Sequence, residues 1–149
     1  RRDGSAHAAD SMDGPVALTK RDFAMKHEPI SALMQPHTRT IAADDSIEAV
    51  EAFLERHGLS WAPVLGDSGE LLGVVSTGDL MRSRRNSLDP ATTAAWQLCT
   101  YRPIAVSPTT PVGEVARLMI DRHIHHVVVI ERGIIRGCVS ALDFVKTFV

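Results

Sequence analysis

The chain has 149 residues, of which 44% are hydrophobic and 23% are charged, and its formal net charge is −2. This length and composition suit one ordinary globular domain with a hydrophobic core. The small net charge does not favour a nucleic-acid partner, and no apolar run approaches the roughly 20 residues of a membrane-spanning helix.

The first 28 residues are predicted to be a flexible arm. Residues 1–26 are rich in Ala, Asp, Gly and Ser and show no apolar periodicity. Their charged start lacks the apolar stretch of a secretory signal. We therefore expect ordered structure to begin near Pro29.

From Pro29 onward the chain is predicted to contain two copies of one unit, at 29–86 and 87–149. Each copy starts with a short helical piece and continues as strand, helix, strand, strand and helix. In the first copy these elements are predicted, in that order, at 30–34, 38–41, 45–58, 62–65, 71–75 and from 76 onward. In the second copy they are predicted at 95–99, 103–106, from 110, 127–130, 134–139 and from 140 onward.

Local signals mark the long helix of each copy. In the first copy, Asp45 and Glu48 have the spacing of a capping box, and Gly58 is predicted to end the helix. In the second copy, Thr110 is predicted as the N-cap, with Pro111 at the first helical position.

The two copies match residue by residue. Apolar positions coincide at an offset of 65, and the offset becomes 64 after a turn that is one residue shorter in the second copy. Glycine, serine and aspartate positions also coincide: Gly73 with Gly137, Ser76 with Ser140, and Asp79 with Asp143. Because a unit of about 50 residues cannot cover its own sheet, we expect an α/β fold in which two β-α-β-β-α repeats pack around a pseudo-twofold axis.

A seven-residue signature, Gly-apolar-apolar-Ser/Thr-x-x-Asp, ends both units. It occurs as GVVSTGD at 73–79 and as GCVSALD at 137–143. On these motifs the chain resembles a tandem pair of cystathionine-β-synthase (CBS) domains, the arrangement called a Bateman module. The resemblance implies a regulatory module, not an enzyme, that binds an adenosine-containing ligand such as AMP, ADP, ATP or S-adenosylmethionine.

The serine and aspartate of each signature have two interpretations. A helix N-terminus offers unpaired N–H groups that favour anions, and an aspartate one turn later can accept hydrogen bonds from a ribose. The same residues also fit a capping box with a purely structural role. The resemblance implies that Ser76, Asp79, Ser140 and Asp143 contact the ribose and the nearby phosphate.

The resemblance further implies two clefts, each joining the base pocket of one copy to the Ser-x-x-Asp of the other. We call these two sites cleft one and cleft two. Cleft one would combine Ser76 and Asp79 with Thr100, Ile104, Ala105 and Ile124. Cleft two would combine Ser140 and Asp143 with Gln35, Arg39, Thr40 and Leu59. Because Gln35 and Arg39 depart from the family pattern, the adenine is expected in cleft one.

Four further side chains near the second strand of each copy have more than one possible role: Trp61, His123, His125 and His126. The resemblance places His125 and His126 where relatives carry phosphate-binding basic residues, although they also fit a strand start with one exposed and one half-buried ring. Together with His123 they lack the Cys or carboxylate spacing of a metal site, so no metal is expected. Trp61 is predicted to serve packing rather than base stacking.

Two alternatives to ligand sensing remain: a scaffold that dimerises or docks on an effector protein without a ligand, and an enzyme. No nucleophile lies near a predicted base, and Cys99 and Cys138 occupy apolar positions typical of inert thiols. Two cysteines also do not indicate a disulfide framework, which favours the cytoplasm. Helices exposed on a CBS pair commonly meet a second copy, so a homodimer is expected.

Overall fold

The predicted order of elements is present in both copies. The computed structural model describes residues 19–36, 38–101 and 103–149. Its elements are, in chain order, α1 (Lys20–His27), a short 3₁₀ helix (Ile30–Ala32), β1 (Ile41–Ala42), α2 (Ile47–His57), β2 (Trp61–Leu65), β3 (Leu71–Ser76), α3 (Thr77–Arg85), α4 (Ala95–Leu98), β4 (Thr100–Tyr101), β5 (Ala105–Val106), α5 (Val112–Arg122), β6 (His126–Glu131), β7 (Ile134–Ser140) and α6 (Ala141–Lys146). The prediction of two β-α-β-β-α repeats is confirmed.

The strands form two small mixed sheets. The first sheet has the order β1-β2-β3-β4, and the second has the order β5-β6-β7. In each sheet the first strand runs parallel to the second, and the following hairpin is antiparallel. Within the described residues, no helix is both long and apolar enough to cross a membrane.

Each copy contributes a lead-in segment, residues 30–35 in the first copy and 95–100 in the second, to the sheet of the other copy. Thr100, from the second copy, pairs with Val74 at the edge of the first sheet. Gln35, from the first copy, pairs with Cys138 at the equivalent edge of the second sheet, through backbone hydrogen bonds of 2.9 and 3.2 Å. Because these pairs occupy equivalent positions, the exchange follows the pseudo-twofold relation between the copies.

The same exchange completes both hydrophobic cores. The first core contains Ile47 and Val50 of α2 but also Ala95 and Cys99 from the second copy. The second core is built on α5, β6 and β7, and Ile30 from the first copy is fully buried in it. Neither copy therefore contains a complete core of its own.

The glycine of each signature is needed for this close approach. A Cβ atom at Gly137 would lie 2.5 Å from the backbone oxygen of Gln35. A Cβ atom at Gly73 would collide in the same way with the backbone oxygen of Thr100. The structure thus places the backbone of the other copy where a side chain at either position would stand.

The predicted helix starts are wrong by one residue in both copies. The N-cap of α2 is Ser46, whose Oγ accepts a hydrogen bond from the Ala49 N–H at 3.1 Å, whereas Asp45 accepts one from the Ala42 N–H. The N-cap of α5 is Pro111 rather than Thr110. The carbonyls of Asp45 and Thr110 accept hydrogen bonds from the exchanged lead-in segments, which fixes where each helix begins. The predicted end of α2 at Gly58, which has a φ of 61°, is confirmed.

The predicted arm is wrong for residues 20–27, which form α1. Met25 packs against the second core, and Gly113 on α5 allows the backbone of Lys26 to approach. Among the described side chains of α1, only Met25 is partly buried, so the sequence has no apolar stripe that would predict the helix. The rest of the predicted arm up to residue 18 lies outside the described residues.

We expect Ile30→Ala to lower the free energy of unfolding by about 2–5 kcal/mol, because it opens a cavity in the core of the other copy. Ile120→Ala is the matched control, since Ile120 is 68% exposed, and it should change stability by less than about 0.5 kcal/mol. Denaturant unfolding measured by circular dichroism should show one transition for the whole chain. Two transitions, of which only one responds to Ile30→Ala, would contradict the exchanged core.

Candidate functional site

A cavity of about 650 Å³ opens between the two copies at cleft two. A cavity of this size is typical of small-molecule sites. Of the six residues predicted for cleft two, all except Thr40 line the cavity. The five that line it are Gln35, Arg39, Leu59, Ser140 and Asp143. His125, His126 and Trp61 also line its wall.

Asp143 is the buried carboxylate of this cavity, with only 4% of its surface exposed. Its Oδ2 accepts hydrogen bonds from the backbone N–H and the hydroxyl of Ser140 at 2.8 and 3.1 Å. Its Oδ1 accepts from Gln35 Nε2 at 3.2 Å and from Lys146 Nζ at 3.4 Å. Burial opposes ionisation, but the hydrogen bonds from Ser140, Gln35 and Lys146 outweigh it and lower the pKa of Asp143.

The two oxygens of Asp143 therefore have different roles. Oδ2 is used within the protein to hold the start of α6. Oδ1 is held by two side chains, Gln35 and Lys146, of which Lys146 is 61% exposed. A hydroxyl donor from a ligand can replace the Gln35 amide at Oδ1 without breaking the contacts between Asp143 and Ser140.

The equivalent pair in cleft one forms a complete capping box. Asp79 Oδ2 accepts from the backbone N–H and the hydroxyl of Ser76 at 2.7 and 3.0 Å, and the Asp79 N–H donates to Ser76 Oγ at 3.4 Å. The remaining oxygen, Oδ1, forms an ion pair with Arg82. Since Ser140 and Asp143 form the same capping box, the structural interpretation of Ser-x-x-Asp is realised in both clefts.

The other residues predicted for cleft one are spread over both sheets. Thr100 pairs with Val74 in the first sheet, while Ala105 lies in β5 of the second. The carbonyl of Ile104 accepts a hydrogen bond from the Val128 N–H, and Ile124 packs against the second core. Among the described residues, neither these four nor Ser76 and Asp79 line the cavity at cleft two or the three other main cavities.

Trp61 and His126 occupy equivalent positions in the two copies and touch each other. Their ring centroids are 4.5 Å apart with the planes tilted by 52°. Burial, and then the nearby His125, lower the pKa of His126 to about 4, although Asp143 acts in the opposite direction. His126 is half-buried and His125 is exposed, as the non-binding interpretation predicts. Trp61 does pack, but its ring also faces the cavity.

Sequence reasoning missed Lys146 and Cys138 as cavity residues. Lys146 stands three residues after Asp143, as Arg82 stands after Asp79, so the repeat itself contained the signal for this ion pair. Cys138 donates to Thr38 Oγ1 at 3.5 Å, and burial raises the pKa of its thiol. Among the described residues, no three His, Cys, Asp or Glu side chains cluster as a metal site would require.

The family follows from a direct match. The model of the CBS domain matches residues 25–86 and residues 95–149. The chain belongs to the CBS domain family. It is a tandem CBS pair, which agrees with the exchanged repeats and the two signatures.

Curated relatives of this CBS pair are longer proteins. An uncharacterised protein of Methanocaldococcus jannaschii is 26% identical over 129 residues, which is 85% of the chain and 45% of that protein. The inosine-5′-monophosphate dehydrogenase of Mycobacterium tuberculosis is 29% identical over 140 residues, which is 90% of the chain and 23% of the enzyme. The chain thus spans less than half the length of the curated relatives it matches.

Solved CBS pairs share the fold. A CBS domain protein of Pyrobaculum aerophilum, complexed with AMP, has a TM-score of 0.71 and 26% identity, over 77% of this chain and 88% of that one. A CBS domain pair in complex with 5′-methylthioadenosine and S-adenosyl-L-methionine has a TM-score of 0.73 and 20% identity, over 81% of this chain and 99% of that one.

We expect His126 to make stability depend on pH between about 6.5 and about 4. In this range the unfolded chain takes up a proton at a pKa near 6.5, whereas the folded chain resists protonation until its pKa of about 4, so stability falls as pH falls. His126→Gln should reduce that loss by about 1–2 kcal/mol, which is less than the full pKa difference because the ring is half-buried and partly screened.

The free energy of unfolding, measured by urea titration at several pH values for the parent and for His126→Gln, tests this pH dependence. The control is His123→Asn, because His123 is exposed at a left-handed position with a φ of 52°, which asparagine tolerates. Parallel stability curves for the parent and His126→Gln would show that His126 is not the group responsible.

Proposed function

We propose that this CBS pair is a regulatory module that binds an adenosine-containing ligand, such as AMP, ADP, ATP or S-adenosylmethionine, in cleft two. The observation that carries the proposal is the cavity in which Asp143 Oδ1 is held only by side chains, one of them a neutral amide. A ribose hydroxyl is the donor that can take the place of that amide. Related CBS pairs solved with AMP or with S-adenosyl-L-methionine support the ligand class.

Cleft two is preferred to cleft one because of how the two aspartates are paired. Asp79 Oδ1 is held by the guanidinium of Arg82, a charge-assisted contact that a ribose hydroxyl would have to displace. Asp143 Oδ1 accepts from the neutral amide of Gln35 at 3.2 Å and from Lys146 at 3.4 Å. A ribose hydroxyl in cleft two can therefore displace a neutral amide and leave the contact with Lys146 in place.

An enzymatic role has less support than a regulatory one. Burial raises the pKa of both thiols, Cys99 and Cys138, so neither is activated as a nucleophile. The matched part of inosine-5′-monophosphate dehydrogenase is only 23% of that enzyme. A scaffold requires no ligand, whereas a sensor does, so ligand-binding experiments distinguish these two alternatives.

A ligand present at 100 times its dissociation constant should stabilise the fold by about 2.7 kcal/mol and raise the melting temperature by roughly 5–10 °C. AMP, ADP, ATP, adenosine and S-adenosylmethionine form the test panel in a thermal-shift assay. No shift with any of them at millimolar concentration would favour the scaffold.

Asp143→Asn should weaken binding of the best ligand by about 10–100-fold, because a buried charged acceptor is lost. Asp79→Asn is the matched control and should change affinity by less than about threefold. Isothermal titration calorimetry measures both variants. Equal losses would show that cleft one also binds the ligand.

We also propose that the chain forms a homodimer through exposed apolar residues on α6 and directly after it. Leu142, Val145 and Phe148 are 61%, 56% and 77% exposed, an apolar group of the kind that mediates association. Light scattering at high micromolar concentration should give a dimer for the parent and a monomer for Val145→Glu. A monomeric parent would rule out this assembly.

A further inference from the structure

The wall of cleft two carries a positive charge that the protein leaves unbalanced. Arg39 and Lys146 line the cavity together with one carboxylate, Asp143. Asp143 is already paired with Lys146 at 3.4 Å. Among the described residues, no carboxylate forms an ion pair with Arg39. Within the part of the chain that the structure describes, the Arg39 guanidinium therefore has no ion-pair partner at the cavity.

A neighbouring group responds to this charge. The pKa of His57 is lowered first by partial burial and then by the charges of Arg39 and Arg56. Arg39 itself is exposed, so its side chain can turn toward a ligand. The equivalent residue of the other copy is the apolar Ile104, so the fold does not require a charge at this position.

We infer that cleft two selects adenosine ligands that carry a phosphate over adenosine ligands that carry a net positive charge. A phosphate monoester carries about −1.5 to −2 charges near neutral pH, and a guanidinium binds it through two parallel hydrogen bonds. The sulfonium of S-adenosylmethionine would meet Arg39 and Lys146 with charge of the same sign. This inference rests on the proposed function and names the ligand class of the same site.

The test compares three probes, AMP, adenosine and S-adenosylmethionine, by calorimetry on the full chain. The parent should bind AMP about 10–100-fold more tightly than adenosine. It should also bind AMP at least about 10–100-fold more tightly than S-adenosylmethionine. Arg39→Gln should remove most of the advantage of AMP over adenosine. Raising the salt concentration should reduce the advantage in the parent, because exposed charges are screened.

Arg122→Gln is the matched control, since Arg122 is an exposed arginine at the end of α5 and loses the same charge. It should leave the ratio of AMP to adenosine affinity unchanged. If adenosine binds but AMP binds no more tightly than adenosine or S-adenosylmethionine, the inference is overturned while the proposed function stands. If Arg39→Gln weakens adenosine and AMP equally, Arg39 holds the nucleoside and not the phosphate, which also overturns it. If no probe binds, the proposed function itself fails.

Discussion

Two backbone bridges determine the architecture: Gln35 with Cys138 and Thr100 with Val74. Each joins the lead-in segment of one copy to the last strand of the other, so the chain crosses between its two halves twice. Such bridges need a backbone approach that only glycine allows, which explains why the signatures of both copies begin with Gly73 and Gly137. Because each core includes residues from both copies, the two units fold as one body, although each repeat alone would be too small to be stable.

The exchange also builds the candidate site. Gln35 reaches Asp143 because its backbone is fixed beside Cys138 of β7, the strand that runs directly into α6. The Gln35 amide and the Asp143 carboxylate thus meet although they are 108 residues apart in the chain. A regulatory function suits this arrangement, because a ligand at Asp143 would touch both halves of the fold at once.

The sequence predicted most of the fold, whereas its choice between the two clefts stays a prediction, for reasons that particular residues make clear. The regular offset between the copies, with its single one-residue shift, revealed the elements and both Ser-x-x-Asp pairs. Periodicity shows which face of a helix is buried, but it does not show what covers that face, so the burial of Ile30 in the other copy was not predicted. The helix α1 was not predicted because Met25 is its one partly buried side chain among those described, and a single apolar contact produces no periodic pattern. The preference for cleft one rested on the departure of Gln35 and Arg39 from the family pattern, and it stays a prediction because periodicity and motifs do not show how each aspartate is paired.

The difference between the clefts arises where the two copies have diverged at equivalent positions. Lys146 occupies the position equivalent to Arg82, so a primary ammonium pairs with one aspartate and a guanidinium with the other. Gln35 stands for Thr100, and only the longer amide reaches across to the carboxylate. Arg39 stands for Ile104, which adds charge to one cleft alone. The backbone symmetry of the fold is therefore retained, while a few side chains at related positions give cleft two a cavity lined by Arg39 and Lys146 and leave Asp79 of cleft one paired with Arg82.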